Sequence, residues 1–155
     1  MDTISFIKEV VHWGGDEREL LCAKIIINDN PLIETVREYE IPYASKYGQE
    51  NIAGGYIYVY AEYLYDLLCG NIKSQEHGVK IPVLICQCGC EGCWDFLMNI
   101  EEKETEVIWT GFHNPHRSSP TSAGGFWDYS SFPVFRFDKQ KYLSAIMSLK
   151  QLAGK

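Results

Sequence analysis

Lys80–Thr110 reads KIPVLICQCGCEGCWDFLMNIEEKETEVIWT, and this stretch decides the fold class. Lys80–Ile85 is an apolar, β-branched run bounded by turn residues, which predicts a strand. Cys86–Trp94 places Gly89 and Gly92 among its thiols, so the chain can reverse tightly there. Trp94–Ile100 then predicts a second strand, Glu101–Glu104 a solvated turn, and Thr105–Thr110 a third strand. The unit is a small antiparallel meander.

Working outward, Ser5–Trp13 and Leu20–Ile27 predict a hairpin around the turn Gly14-Gly15-Asp16-Glu17. Asn30 is a candidate cap for a helix over Pro31–Glu40, with Leu32, Ile33, Val36 and Tyr39 at helical spacing. Residues 41–55 read as loop. Leu64, Leu67 and Leu68 favour a helix from Ala61, ended by Gly70. Phe132–Phe137 fits an edge strand around Pro133, and Asp138 is placed to cap a final helix whose buried stripe is Tyr142, Ile146, Leu149 and Leu152. The expected architecture is a single α+β domain over residues 1–155. It would have an antiparallel or mixed sheet, flanked by a few helices, that includes Ser5–Trp13, Leu20–Ile27, Lys80–Ile85 and Thr105–Thr110.

Composition agrees with one globular core: 155 residues, 46% hydrophobic and 23% charged, without the low hydrophobicity of a disordered chain. The net charge of −7 repels phosphate backbones and anionic surfaces, which disfavours nucleic acid and membrane as partners and would suit a basic protein. No stretch approaches the roughly 18 apolar residues of a membrane span. The opening residues, acidic at Asp2 and Glu9, do not read as a signal peptide, so a cytoplasmic location with six reduced cysteines is expected.

Four of those cysteines, Cys86, Cys88, Cys90 and Cys93, fall within eight residues. Such a turn, with His113 or His116 from the following loop, can supply the tetrahedral N/S set that zinc requires. Only Cys90-x-x-Cys93 has a common half-site spacing, because Cys86-x-Cys88-x-Cys90 puts neighbours on one extended face. The competing readings are thiols packed as small hydrophobes and a redox pair at Cys90/Cys93. Cys22 and Cys69 read as core residues, and His12 and His77 receive no role.

The segment Phe112–Arg117 holds the close pair His113 and His116, followed by Arg117, a carboxylate or phosphate clamp. A Cys88–His116 pair oriented by Asp128 is chemically conceivable, though no spacing demands it, and no catalytic residue is assigned. Trp127-Asp128-Tyr129 reads equally as an aromatic lip for a partner or as a loop pinned to the core. The expected binding residues are His116, Arg117, Trp127 and Tyr129.

Taken together, Cys86, Cys88, Gly89, Gly92, Cys93 and Trp94, then Trp109, Phe112, Pro115, His116 and Arg117, then Trp127, Tyr129, Phe135, Phe137 and Asp138 resemble the pattern of a largely uncharacterised family of small bacterial cytosolic proteins: CxCGxxGCW, FxxPHR, WxY and FxFD. The likeness spans roughly residues 80–150. Cys90 occupies a position that pattern leaves open, so the resemblance implies Cys86, Cys88, Cys93 and His116 as the metal quartet, with zinc as the candidate cofactor.

The expected function is a non-enzymatic protein-binding domain, one version being an immunity-type inhibitor of a basic toxin. An enzyme with a Cys/His/Arg site and a zinc-stabilised scaffold are the alternatives.

Overall fold

A computed structural model describes residues 1–12 and 19–155 of the chain. The architecture is α+β. Strands β1 (Ile4–His12), β2 (Glu19–Ile27) and β3 (Asn30–Pro31) form one antiparallel sheet. Helix α1 (Leu32–Lys46) follows, then strand β4 (Tyr56–Tyr58) and helix α2 (Ala61–Leu68). Strands β5 (Ile81–Cys86), β6 (Phe96–Glu102), β7 (Glu106–His113) and β8 (Phe135–Asp138) join β4 in a second antiparallel sheet, ordered β4-β5-β6-β7-β8. Helix α3 (Lys139–Leu152) closes the chain and packs against β1, β7, β8 and α2. Among the described residues no helix is long and apolar enough to cross a membrane.

The four strands expected in one sheet are therefore divided between two. The sheets are stitched where Ala23 N–H donates to Val59 O at 3.1 Å, and again where Asp2 N–H donates to Arg136 O at 2.8 Å. The turn expected at Gly14–Glu17, with Trp13, lies outside the described residues. Phe135 rather than Phe132 opens β8, since Pro133 has no N–H to give a ladder.

Helix α1 departs from expectation at both ends. Asn28 and Asp29 take φ of 53° and 65°, and Ile27 pairs with Asn30. This two-residue reversal has both central residues left-handed, a conformation Asn and Asp tolerate. Asn30 and Pro31 are thereby spent on β3, and no side chain caps α1. At the far end the helix runs through Pro42 to Lys46, because its buried face is Leu32, Val36, Glu40 and Ala44. An apolar periodicity stops counting at Glu40. The last helix matches its prediction except at its end: Asp138 accepts the Lys141 N–H at 3.1 Å, and Tyr142, Ile146 and Leu149 are buried, whereas Leu152 is half-buried.

Glu40 organises the middle of the molecule. It is fully buried; its Oε1 accepts the Gly54 N–H at 2.8 Å, while Oε2 accepts the hydroxyls of Tyr56 and Tyr129 at 2.7 and 2.6 Å. Asn114 Nδ2 in turn donates to the Tyr56 hydroxyl at 3.0 Å. Gly54, at φ 65°, comes so close to α1 that a Cβ there would stand 2.6 Å from Arg37 Cβ. Gly54→Ala should cost about 2 kcal/mol, from backbone strain and overpacking, read by urea denaturation.

Burial pushes the Glu40 carboxyl above its ordinary 4.5, against three hydrogen bonds that pull it down. The folded chain thus holds this proton more tightly than the unfolded chain. The stabilising contribution is full below the ordinary value of 4.5 and is lost as pH rises through the folded value. Stability of the wild type relative to Glu40→Gln should therefore fall with rising pH across that window; a flat difference would contradict it.

Candidate metal centre

The turn between β5 and β6 begins at once after Cys86, the last residue of β5. Gly89 and Gly92 have φ of 84° and 92°, the left-handed region open to a residue without Cβ. A Cβ on Gly92 would also press on the Glu76 carboxylate at 3.2 Å. These reversals bring the Sγ atoms of Cys86, Cys88 and Cys93 within 4.8 Å of one another. Cys86 is half-buried, and Cys88, Cys90 and Cys93 are exposed, so three of the four do not pack as core hydrophobes. All six cysteines are free thiols.

The Cys88 N–H donates to Cys86 Sγ at 3.5 Å, and the crowded thiols shift one another's proton affinity. The Cys90 N–H and the Cys86 thiol both favour a Cys88 thiolate, which lowers the Cys88 pKa. Cys93 is pushed up to about 12, chiefly by its hydrogen bonds to Cys86 and Cys88 and by their charge. Cys90 is raised by its own bond to Cys88. Crowded thiols oppose one another's ionisation, as like charges do.

The turn is bolted down from below by residues to which the sequence pattern gives no role. Asp95, fully buried, accepts the Gly92 N–H at 2.6 Å and pairs with His77 Nε2 at 2.6 Å. Glu91 accepts the Tyr63 hydroxyl at 3.0 Å and the Ser74 hydroxyl at 2.8 Å, and Ser74 Oγ accepts the His77 N–H at 3.0 Å. His77 therefore has a structural task. The one hint in sequence is Asp95 itself, a charge opening an otherwise apolar strand.

The histidine loop arrives beside this turn, as antiparallel counting predicts, because His113 at the end of β7 pairs with Leu97 near the start of β6. His116 stacks on Trp94 with ring centroids 5.8 Å apart and planes 11° from parallel, and its Nε2 donates to Gly92 O at 3.2 Å. It adjoins the thiol trio without being among the ligand atoms that converge there. His113 is elsewhere: Nδ1 donates to Gly111 O at 2.8 Å and Nε2 accepts from Lys80 Nζ at 3.4 Å. Burial, with Lys80 nearby, lowers its pKa.

Arg117 lies over Trp94 with its guanidinium carbon 4.7 Å from the ring centroid, and 5.6 Å from that of Trp127. Its NH1 donates to His116 O at 3.0 Å and Ala123 O at 2.7 Å. Trp127 and Tyr129 are both buried, at 0% and 8% exposure. Trp127 packs edge-on to Trp94, and Tyr129 reaches Glu40. The aromatic pair is thus pinned to the core, not presented as a lip. Asp128 is turned to its own loop, where Oδ1 accepts the Ser130 N–H at 2.9 Å, so it does not orient His116. Cys69, read as core, is exposed as the cap of α2, whereas Cys22 is fully buried and pushed up to about 11, first by burial.

Comparison of the chain with protein-family models, curated proteins and solved structures finds no match. The chemistry of the site rests on its own geometry.

Removing Asp95 should loosen the turn more than removing His116. Asp95→Ala strands the part-buried Gly92 N–H and His77, for a cost of about 1–3 kcal/mol. His116→Ala loses an exposed stack and one hydrogen bond, for about 1 kcal/mol or less. Urea midpoints of the two variants, with thiol-reagent rates at the turn, check that order.

Proposed function

We propose that this domain is a metal-stapled binding scaffold, in which Cys86, Cys88 and Cys93 hold a thiophilic ion, zinc foremost. The observation that carries this reading is the convergence of three Sγ atoms within 4.8 Å on a turn that its own strands, glycines and buried carboxylate already fix. Zinc–sulfur bonds of about 2.3 Å in a tetrahedron set sulfurs about 3.8 Å apart, so the trio needs only a small contraction. Soft thiolates select zinc or copper(I) over calcium, magnesium and manganese. Cys90 lies in the same turn but outside the converging trio, and is one candidate for the fourth place. His116, held by its stack and by Gly92 O, is the second donor within the same neighbourhood.

A bound ion would neutralise the crowding that keeps Cys93 protonated, and would lock the residues between the cysteines. In a chain of charge −7, the partner that such a scaffold favours is basic, because opposite charge speeds encounter.

Protein purified under reducing conditions without chelator should carry one zinc per chain by elemental analysis. Cobalt(II) exchanged into it should give the thiolate charge-transfer and tetrahedral ligand-field bands. Cys86→Ser and Cys93→Ser should each weaken metal binding at least about tenfold, and comparison of Cys90→Ser with His116→Ala identifies the fourth ligand. Absence of retained metal together with absence of the cobalt bands would overturn the reading.

A further inference from the structure

Three converging thiols are a reactive group as well as a ligand set. We propose that Cys86, Cys88 and Cys93 form a peroxide-responsive switch: oxidation joins Cys93 to one of the other two as a disulfide, and the bridge expels the ion. The disulfide rests on the thiol geometry alone; the release rests on the metal reading above.

Distance and access favour the reaction. The three Sγ atoms lie within 4.8 Å of one another, and all three residues are free thiols. Cys88 and Cys93 are exposed and Cys86 is half-buried, so an oxidant from solvent reaches the trio. A disulfide sets its sulfurs about 2.05 Å apart on Cβ atoms about 3.8 Å apart. Sulfurs this close narrow the remaining gap by rotation about χ1. Elsewhere, Cys22 is buried, and Cys69, though exposed, lines clefts whose other walls hold no thiol.

Ring size selects the pair. Cys86 and Cys88 enclose only Gln87, and a bridge there closes a ring too short for relaxed disulfide geometry. Both remaining pairs contain Cys93. Cys90 is exposed in the same turn but outside the converging trio, which makes it the internal control.

The frame around the trio makes the change reversible. Cys86 ends β5 with its backbone paired to Tyr56, and Asp95 holds the Gly92 N–H immediately before Cys93. That frame stays in place when the sulfurs join, and reduction returns them to the positions that bind metal.

The step balances with hydrogen peroxide as oxidant. One thiolate attacks a peroxide oxygen, the O–O bond breaks, and a sulfenic acid forms as hydroxide leaves and is protonated to water. The second thiol, losing its proton, attacks the sulfenic sulfur; the S–O bond breaks, the S–S bond forms and a second water leaves. Two thiols thereby give up two electrons and two protons, and one peroxide becomes two waters. Cysteine ligates as the thiolate. The bridge consumes two of the three, so the ion loses its hold.

Hydrogen peroxide is the probe, applied to the reduced full chain with and without zinc. In the metal-free chain two of the six thiols should disappear, and alkylation with peptide mapping should place Cys93 in the bridge. From the zinc-loaded chain, zinc should reach a chromogenic chelator in step with the disulfide, and dithiothreitol should restore binding. Cys90→Ser should bridge at a rate within about twofold of wild type, and Cys93→Ser at least about tenfold more slowly. Mapping of the wild type needs no variant, so a misfolded Cys93→Ser leaves the test intact. Six free thiols after peroxide, a Cys86–Cys88 bridge, a bridge through Cys90, or zinc retained once the Cys93 disulfide has formed would each overturn the proposal. A reduced chain with neither zinc nor cobalt bands overturns the metal reading and the release together, and a Cys93 disulfide in that chain upholds the thiol switch alone.

Discussion

The buried carboxylate of Glu40 is the constraint on which the rest of the molecule turns. It draws hydrogen bonds from the segment before β4, from β4 itself, and from Tyr129 some ninety positions later in the chain. Desolvation outweighs those bonds in setting its proton affinity, so as a source of stability the group is weak. Its value is in placement, because a buried polar group with several partners tolerates few alternative arrangements of them. Tyr56 passes the constraint to Asn114, whose Oδ1 receives the His116 N–H at 2.9 Å. Tyr129 passes it toward Trp127, whose backbone N–H donates to Arg117 O at 2.8 Å. The loop that carries His116 and Arg117 is therefore positioned from the core outward, through polar contacts.

What was legible in sequence follows from local physics. Asp138 caps α3, Gly70 ends α2, and the meander from β5 to β7 forms where apolar runs are separated by glycine or by charge. What was not legible depends on partners far along the chain. No periodicity says that β1 and β2 share a sheet with β3 and not with the strands of the meander, since apolar alternation reports a buried face and not the neighbouring strand. The length of α1 was hidden because its buried stripe includes a charge. His77 looks idle until Asp95, eighteen positions on, is brought to it. Trp127 and Tyr129 could be lip or anchor by composition alone; a network rooted in Glu40 makes them anchors.

The cysteine turn shows a subtler failure of spacing arguments. Cys86-x-Cys88 looked unsuitable for a shared site, because alternate residues of a strand share a face but stand well apart. That objection holds only while the chain stays extended. Here β5 ends on Cys86, and two left-handed glycines fold Cys93 back onto it. The pattern that converges, C-x-C followed by C at the far side of the turn, is a property of where the strand stops.

The turn shares material with a neighbouring cleft. Gln87 stands between two of the converging cysteines and Trp94 follows the third, and both line the cleft over which Arg117 lies. An ion held by the thiols would fix the backbone on either side of Gln87 and set the angle at which the Trp94 ring meets the guanidinium. Trp94 also carries the guanidinium of Arg117 and the ring of His116, so a shift of the turn on binding metal would be passed to the loop that holds them. The anchoring of the turn by Asp95, Glu91 and His77 limits that shift. The better the turn is preformed, the less a metal ion gains by ordering it, and the smaller its effect on the loop.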